Sequence, residues 1–556
     1  MKKKKVILIM LFALFSQIAF AQDAFIDILK TELNRNYTVL KDNPVPAYYV
    51  SYRVQDMQTQ GIRASFGKLL LNSNPRHQRL FNIDVRVGDY EMDNTREIKG
   101  GGRGNMYSSD ALVLDNNPAA VQTALWKTTD QVYKDAVKQF ENVKANVAVK
   151  VASEDKSGDF TKEAPEKYFE PAIPLKDLKF DASEWEKKLK KYSEVFYGNK
   201  DVLSNTASID FELVRKYFVD TEGREIAENT YACRLHISAS TTAEDGMNLP
   251  LFLSYFAIDA KDLPSDAQVL KDAGKMSQMI SDLRKAPVAE SYSGPALMTA
   301  EAAGVFFHEI FGHRVEGARL KQESDAQTFK KKVGEPVLPK DISIIFDPKL
   351  KKYSNIPLNG SYVFDDEGIR GQRVEVVKDG ILKSFLMSRT PIDNFPNSNG
   401  HGRAMIYFDN VTRQSNMIIE SSDPKSEAEL RKMLVEEAKK ADREYAYLFD
   451  KVSGGFTTTG RYMPNAFNVT PLIVYRIYAD GRPDELVRGV DLVGTPLAIF
   501  SQVAACGKEY GVFNGACGAE SGSIPVSCVS PTLFIKMIET QKKSKSQNQP
   551  PILERP

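Results

Sequence analysis

Histidine is scarce in this chain, five among 556 residues, and two of the five flank a glutamate in His308-Glu309-Ile310-Phe311-Gly312-His313. Imidazole nitrogens bind zinc, and a carboxylate beside them can take a proton from a water that the ion activates. The familiar helical pattern, His-Glu-x-x-His, spaces its ligands four apart on one face. Here the spacing is five. At about 100° per residue, five steps carry the second ring about 140° around the axis, so a regular helix cannot aim both at one ion. The expected remedy is a π-bulge or kink at Phe311 to His313, where Gly312 makes backbone distortion cheap. His308 and His313 are thus the expected ligands, with Glu309 as catalytic general base. The plainer alternative is two unrelated histidines on a buried helix. The apolar run Val305-Phe306-Phe307 points to burial, and buried ionisable groups need partners.

Zinc in a hydrolytic site takes three protein ligands and keeps a fourth position open. Spacing leaves the third open among His77, His236, His401, the four cysteines and many carboxylates. Cys517 lies in a glycine-rich run, residues 514–523, read as a loop able to fold close to an ion. The competing use of Cys517 is a disulfide with Cys506 or Cys528.

The surrounding elements must position these groups. Apolar residues make up 42% of the chain and charged residues 26%, as in ordinary globular proteins. A net charge of +1 gives no electrostatic footing for nucleic acid. Lys2 to Lys5, the apolar run to Phe20 and Ala19-Phe20-Ala21 read as a signal peptide over residues 1–21. That run falls short of the ~20 residues a membrane-spanning helix needs. The expectation is an exported protein, periplasmic or extracellular, with no stable membrane insertion after cleavage.

Alternating apolar positions predict strands over 47–93 and again over 207–256. Helices are predicted over 118–143, 183–196 and 265–285, and a further helix, carrying the two histidines, from an N-cap at Thr299 to a stop at Gly317. The polar stretch 153–174 reads as an exposed connector. Asp379-Gly380 between apolar runs predicts a hairpin. The expected fold class is α+β. A first domain over 22–285 mixes antiparallel strands and helices, and a mostly β second domain over 286–540 carries the metal-binding helix at its start. Residues 541–556 read as a disordered tail.

The helix segment resembles the His-Glu-x-x-Gly-His-x-x-Glu-Gly signature of the TldD/PmbA metallopeptidase family. The resemblance continues in the family's order through Asp365-Asp366-Glu367-Gly368, Gln372-Arg373, 398–403, Ser453-Gly454-Gly455, Cys517-Gly518, 522–526 and Pro531-Thr532-Leu533. It implies a zinc held by His308, His313 and Cys517, with Glu309 as the catalytic carboxylate. It also implies a buried groove for small or unfolded peptides. A homodimer, or a heterodimer with a noncatalytic relative that lacks the helix motif, is implied as well. His401, Arg403 and Tyr462 sit in segments that resemble groove-side segments and are candidates to hold substrate or an oxyanion. Glu316 is a candidate to orient a ligand histidine. The familiar members are cytoplasmic, so the signal peptide is a departure. The alternative function is a catalytically inactive scaffold that captures peptides or supports a partner, which has no need of Glu309. A third is a cell-surface protein with a disulfide-stapled C-terminus.

Overall fold

The computed structural model describes residues 23–98, 109–149, 154–174, 180–322, 325, 327–460, 467–543, 551–553 and 555. The segment read as a signal peptide therefore lies outside the described residues. No described helix is long and apolar enough to cross a membrane.

The first half is one eight-stranded sheet under four helices. Its central strands are Arg76–Val87, Ala47–Ser65, Ser204–Asp220 and Glu225–Thr242, all antiparallel, with Asn248–Ala257 added at the last. Strand alternation assigns the two faces. Odd positions such as Ile209, Ile237 and Leu251, with Val50 and Ile62 on the neighbouring strand, pack beneath Ala24–Leu40, Pro118–Val149, Ala182–Glu194 and Asp266–Lys285. Even positions of the later strands face the second half. Phe218 and Ile226 pack on Phe364, and Arg53 donates to the Ala404 carbonyl at 3.0 Å and pairs with Asp366 at 3.4 Å. The three predicted helices are present, the third capped at Ser265, whose hydroxyl accepts from Gln268. The helix Ala24–Leu40, capped by Asp23, was not anticipated.

The connector is exposed only in part. Asp155, Asp159, Phe160 and Thr161 are buried. Phe160 lies 3.8 Å under the Arg389 guanidinium, and Thr161 N–H donates to the Arg389 carbonyl at 2.8 Å. Phe160, with Tyr168 packed on Phe364, seats the segment between the halves.

The second half is an eleven-stranded mixed sheet that closes on itself. Tyr292–Met298 pairs in parallel with Tyr445–Thr457 and antiparallel with Gly522–Lys542. The helix Ala300–Ile310 lies inside this ring, with residues 302 to 310 all buried. The predicted hairpin joins Val374–Lys378 to Ile381–Leu382, and its turn residues Asp379 and Gly380 both have positive φ, 50° and 77°. The mixture of a helix-covered antiparallel sheet with a mostly β half is the expected α+β class. One boundary needs correction. The last strand reaches Lys542, whose neighbours pair with Val490–Val493, and Arg555 donates to the Tyr197 carbonyl at 3.0 Å, so 541–556 is not a wholly detached tail.

Candidate metal centre

The helix Ala300–Ile310 begins at Thr299, as expected. Its hydroxyl donates to the Asp450 carbonyl at 2.7 Å instead of capping the helix, so it ties the helix start to a strand. The helix ends one residue before the predicted distortion. Phe311 leaves helical geometry at φ −120°, ψ −53°, and Gly312–Arg314 form a 3₁₀ turn. The break is where the spacing required one, but it is a 3₁₀ turn and not a π-bulge. Gly312 has a different reason from the one expected. A Cβ there would lie 2.0 Å from Gln414 Oε1, so it is close approach that excludes a side chain. Gly317 does not stop the helix either. It starts the short helix Gly317–Lys321, and a Cβ would lie 2.5 Å from Met387 Sδ.

This break brings the rings together, centroids 4.9 Å apart and nearly perpendicular at 81°. Cys517 completes the cluster. Its Sγ is 3.1 Å from His308 Nε2 and 3.3 Å from His313 Nε2, and the three donor atoms lie within 4.8 Å of one another, all buried. The run around Cys517 is not a loop. It is the end of the strand Val503–Ala519, hairpinned onto Gly522–Lys542, with Cys517 opposite Ile524. No disulfide competes, because all four cysteines are free and buried.

The electrostatics suit a cation. Burial alone would raise the Cys517 thiol, but His308 and His313 overcome it and hold the thiol well below its usual range. Burial would lower His313, yet the Glu316 carboxylate and Cys517 lift it to about 10. Glu316 is itself fully buried. The charges of His313, Arg319 and Arg413 outweigh that burial and keep it ionised well below the ordinary carboxylate range. It lies 3.1 Å from His313 Nδ1 and accepts from Arg319 Nε at 2.7 Å, the contact by which a carboxylate can orient an imidazole. A tetrahedral zinc at ordinary bond lengths sets nitrogen and sulfur ligands about 3.5 Å apart, close to the distances here. Two imidazoles and a thiolate form a borderline-soft donor set that fits zinc.

Glu309 lies between the ligand histidines in sequence and is pressed from outside by Gly455, whose Cβ would lie 2.6 Å from Glu309 Cγ. Burial raises its carboxyl above the usual value. His308, Glu309, His313 and Cys517 together line a cavity of about 1020 Å³ between the two halves.

Two expected substrate contacts are not there. His401 is fully buried, bonded to Ser415 Oγ and Asn399, and burial followed by the nearby Arg403 pushes it down to about 3. Arg403 donates to the Gln414 and Pro525 carbonyls and stacks on Tyr362. Neither lines the cavity; both brace the strands behind it. Tyr462 lies outside the described residues. His77 is a surface partner of Asp56, while His236 faces the cavity. Several residues were missed. Arg413 donates to the Cys517 carbonyl at 2.6 Å and lies 3.7 Å from Glu316, tying the third donor to the helix side. Arg319, three residues after Glu316, carried a helical-spacing signal; Arg413 and Gln414 carried none.

Residues 291–542 match the PmbA/TldA metallopeptidase C-terminal domain. A metalloprotease of Archaeoglobus fulgidus is 32% identical over 240 residues, 43% of this chain and 51% of that protein. A zinc metalloprotease TldD homolog of Saccharolobus solfataricus is 23% identical over 337 residues, 59% of this chain and 69% of that one. The match thus spans about half the length of the first of these relatives. The crystal structure of TldE from Thermococcus kodakarensis shares the fold at a TM-score of 0.59 and 15% identity, covering 92% of this chain and 100% of that one. Through its second half, the chain is similar to the PmbA/TldD metallopeptidase family.

Proposed function

We propose that the protein is an exported zinc-dependent peptidase that cleaves small or unfolded peptides, with His308, His313 and Cys517 holding the metal. The observation that carries this is the joint placement of three soft-to-borderline donors and a buried carboxylate on the wall of one large cavity. Zinc bound there would supply Lewis acidity to a peptide carbonyl and acidify a water. Glu309 takes the proton from that water on its carboxylate oxygen and delivers it to the leaving amine nitrogen. The raised affinity of the Glu309 carboxyl for a proton suits that relay. Glu316 keeps the His313 ring turned with Nε2 toward Cys517, and the cavity walls hold the peptide out of bulk water.

Presence of Glu309 favours the enzyme over an inactive peptide-binding scaffold, which needs only the ligands. The deciding experiment is metal analysis of wild type and Cys517→Ser, with peptide cleavage measured with and without a chelator. One zinc per chain in wild type, its loss in the variant and chelator-sensitive cleavage are expected. Cleavage indifferent to both chelator and Cys517 would end the proposal. Export rests on residues 1–21, and cell fractionation tests it. A homodimer, or a heterodimer with a noncatalytic relative, belongs to the same reading, and light scattering of the purified chain distinguishes a self-paired species from a monomer.

A further inference from the structure

The cavity is walled on one side by the first half of the chain, whose sequence shares least with the metallopeptidase pattern. There the strands Glu225–Thr242 and Asn248–Ala257 pair with Arg234 opposite Phe256 and His236 opposite Ser254. Alternation puts Leu251 and Leu253 under the helices and turns Phe252, Ser254 and Phe256 to the cavity. His236 stacks against Phe252, centroids 5.7 Å apart at 22°. Arg234 donates to the Asn514 carbonyl and to Ser254 Oγ, both at 2.9 Å, and lies 5.5 Å over Phe256. It is therefore committed to holding the wall against the Cys517 strand.

Two more aromatics come from the metal side. Phe456 is 64% exposed although it lines the cavity, and it follows Gly455, the residue pressed on Glu309. Phe513 shares a strand face with Gly515 and Cys517, and its ring crosses Gly515, where a Cβ would lie 2.5 Å from it. Aromatic rings from both halves thus line the same cavity as the metal cluster, with Phe456 left largely exposed there. Exposed aromatic surface in a cavity that also holds a reactive centre is what a ligand side chain covers.

We propose that Phe252, Phe256, Phe456 and Phe513 form a subsite for an aromatic or large aliphatic side chain adjoining the scissile bond, and that this subsite sets the peptide preference. This deepens the peptidase reading and rests on it. Arg234 on this wall and Arg319 on the metal side are already engaged, so among the described residues lining the cavity an acidic side chain finds apolar rings and arginines that are already partnered.

The test is binding of labelled peptides that share one backbone and vary a single residue among Phe, Leu, Ala and Asp. Fluorescence anisotropy is read on zinc-loaded wild type and on Glu309→Gln, with cleavage followed in parallel. The Phe and Leu peptides should bind about tenfold more tightly than the Ala and Asp peptides, and Phe256→Ala and Phe456→Ala should each cut that ratio to about threefold or less. Zinc content of each variant checks that the fold survives, and Phe456, being exposed, can be truncated without opening the core. Equal binding of all four peptides, no binding of any, or a ratio untouched by both variants overturns the subsite. Selective binding without cleavage leaves the subsite standing and removes the proposed reaction. Unselective cleavage does the reverse.

Discussion

Gly455 offers a way to move the proposed base without touching a metal ligand. In Gly455→Ala the new methyl would lie 2.6 Å from Glu309 Cγ and 3.1 Å from Cδ, with the Asn468 carbonyl at 2.8 Å on its other side. Carbon atoms rest about 3.5–4.0 Å apart, so something must give by about 1 Å. The Asn468 carbonyl belongs to the paired strand Phe467–Tyr478 and cannot back away alone. The Glu309 side chain is the softer neighbour, so it moves. Misplacing a reacting group by about 1 Å costs about 100-fold in rate, which is about 2.7 kcal/mol of barrier. The crowding should also cost about 1–3 kcal/mol of stability. Zinc content should stay at the wild-type level, because Gly455 touches none of the three ligands. The assay is kcat on a peptide, with zinc per chain and a denaturant melt on the same preparation. Full kcat with normal zinc would show that Glu309 is not the base, or that Gly455 does not press on it. Loss of zinc would show that the strand positions the ligands themselves.

Other outcomes follow from the same geometry. Thiol titration of the denatured, metal-stripped protein should find all four cysteines reduced; a count of two would mean a disulfide and, if Cys517 took part, no third ligand. Glu316→Gln leaves Arg319 and Arg413 buried beside His313 without their shared carboxylate, so denaturant melts should show a loss of about 3 kcal/mol and metal competition about tenfold weaker zinc binding. Unchanged values in both would mean that Glu316 is not the balancing charge. Glu228, at the contact between the halves, is pushed up to about 7 by burial, against which Lys216 works only partly. A carboxyl whose folded value lies above its unfolded one holds a proton more tightly when folded. Its contribution is complete below the unfolded value and is lost as pH rises from about 4.5 to about 7, with a slope of up to about 1.4 kcal/mol per pH unit. Glu228→Gln should therefore match wild type at pH 4.5 and be the more stable protein at pH 8, and equal stabilities at pH 8 would refute the assignment.

Local patterning located most of the elements. Ser265 ahead of a helical run and Asp379-Gly380 between apolar runs act through their own backbone, so sequence alone places them. The polar segment at 153–174 misled because its burial depends on a partner more than 200 residues away. Phe160 is held inside between the Arg86 and Arg389 guanidiniums, and Glu222 pairs with Arg389 at 2.9 Å. The same holds for His401 and Arg403. Glycine and histidine in a short run look like a site, yet here the glycines admit neighbouring chain. A Cβ at Gly400 would lie 2.4 Å from the Arg370 carbonyl, and one at Gly402 2.1 Å from Glu367 Oε2.

The ligand set separates what spacing can decide from what it cannot. A spacing of five between the histidines fixed the need for a break, because no regular helix turns both rings one way, and the 3₁₀ turn at Gly312–Arg314 supplies it. Spacing did not fix the kind of break, which depends on what lies against it. Gln414 fills the space beside Gly312, and its amide lies 3.4 Å from the His308 carbonyl. Cys517 stands 204 residues from His313 and reaches it on the end of a hairpin held by Arg413. Nothing near Cys517 in sequence requires that approach. The requirement sits at Glu316, a buried carboxylate that must find cations, and one of those it finds is the arginine that holds the Cys517 strand in place. The third donor is thus positioned by charge balance around the second.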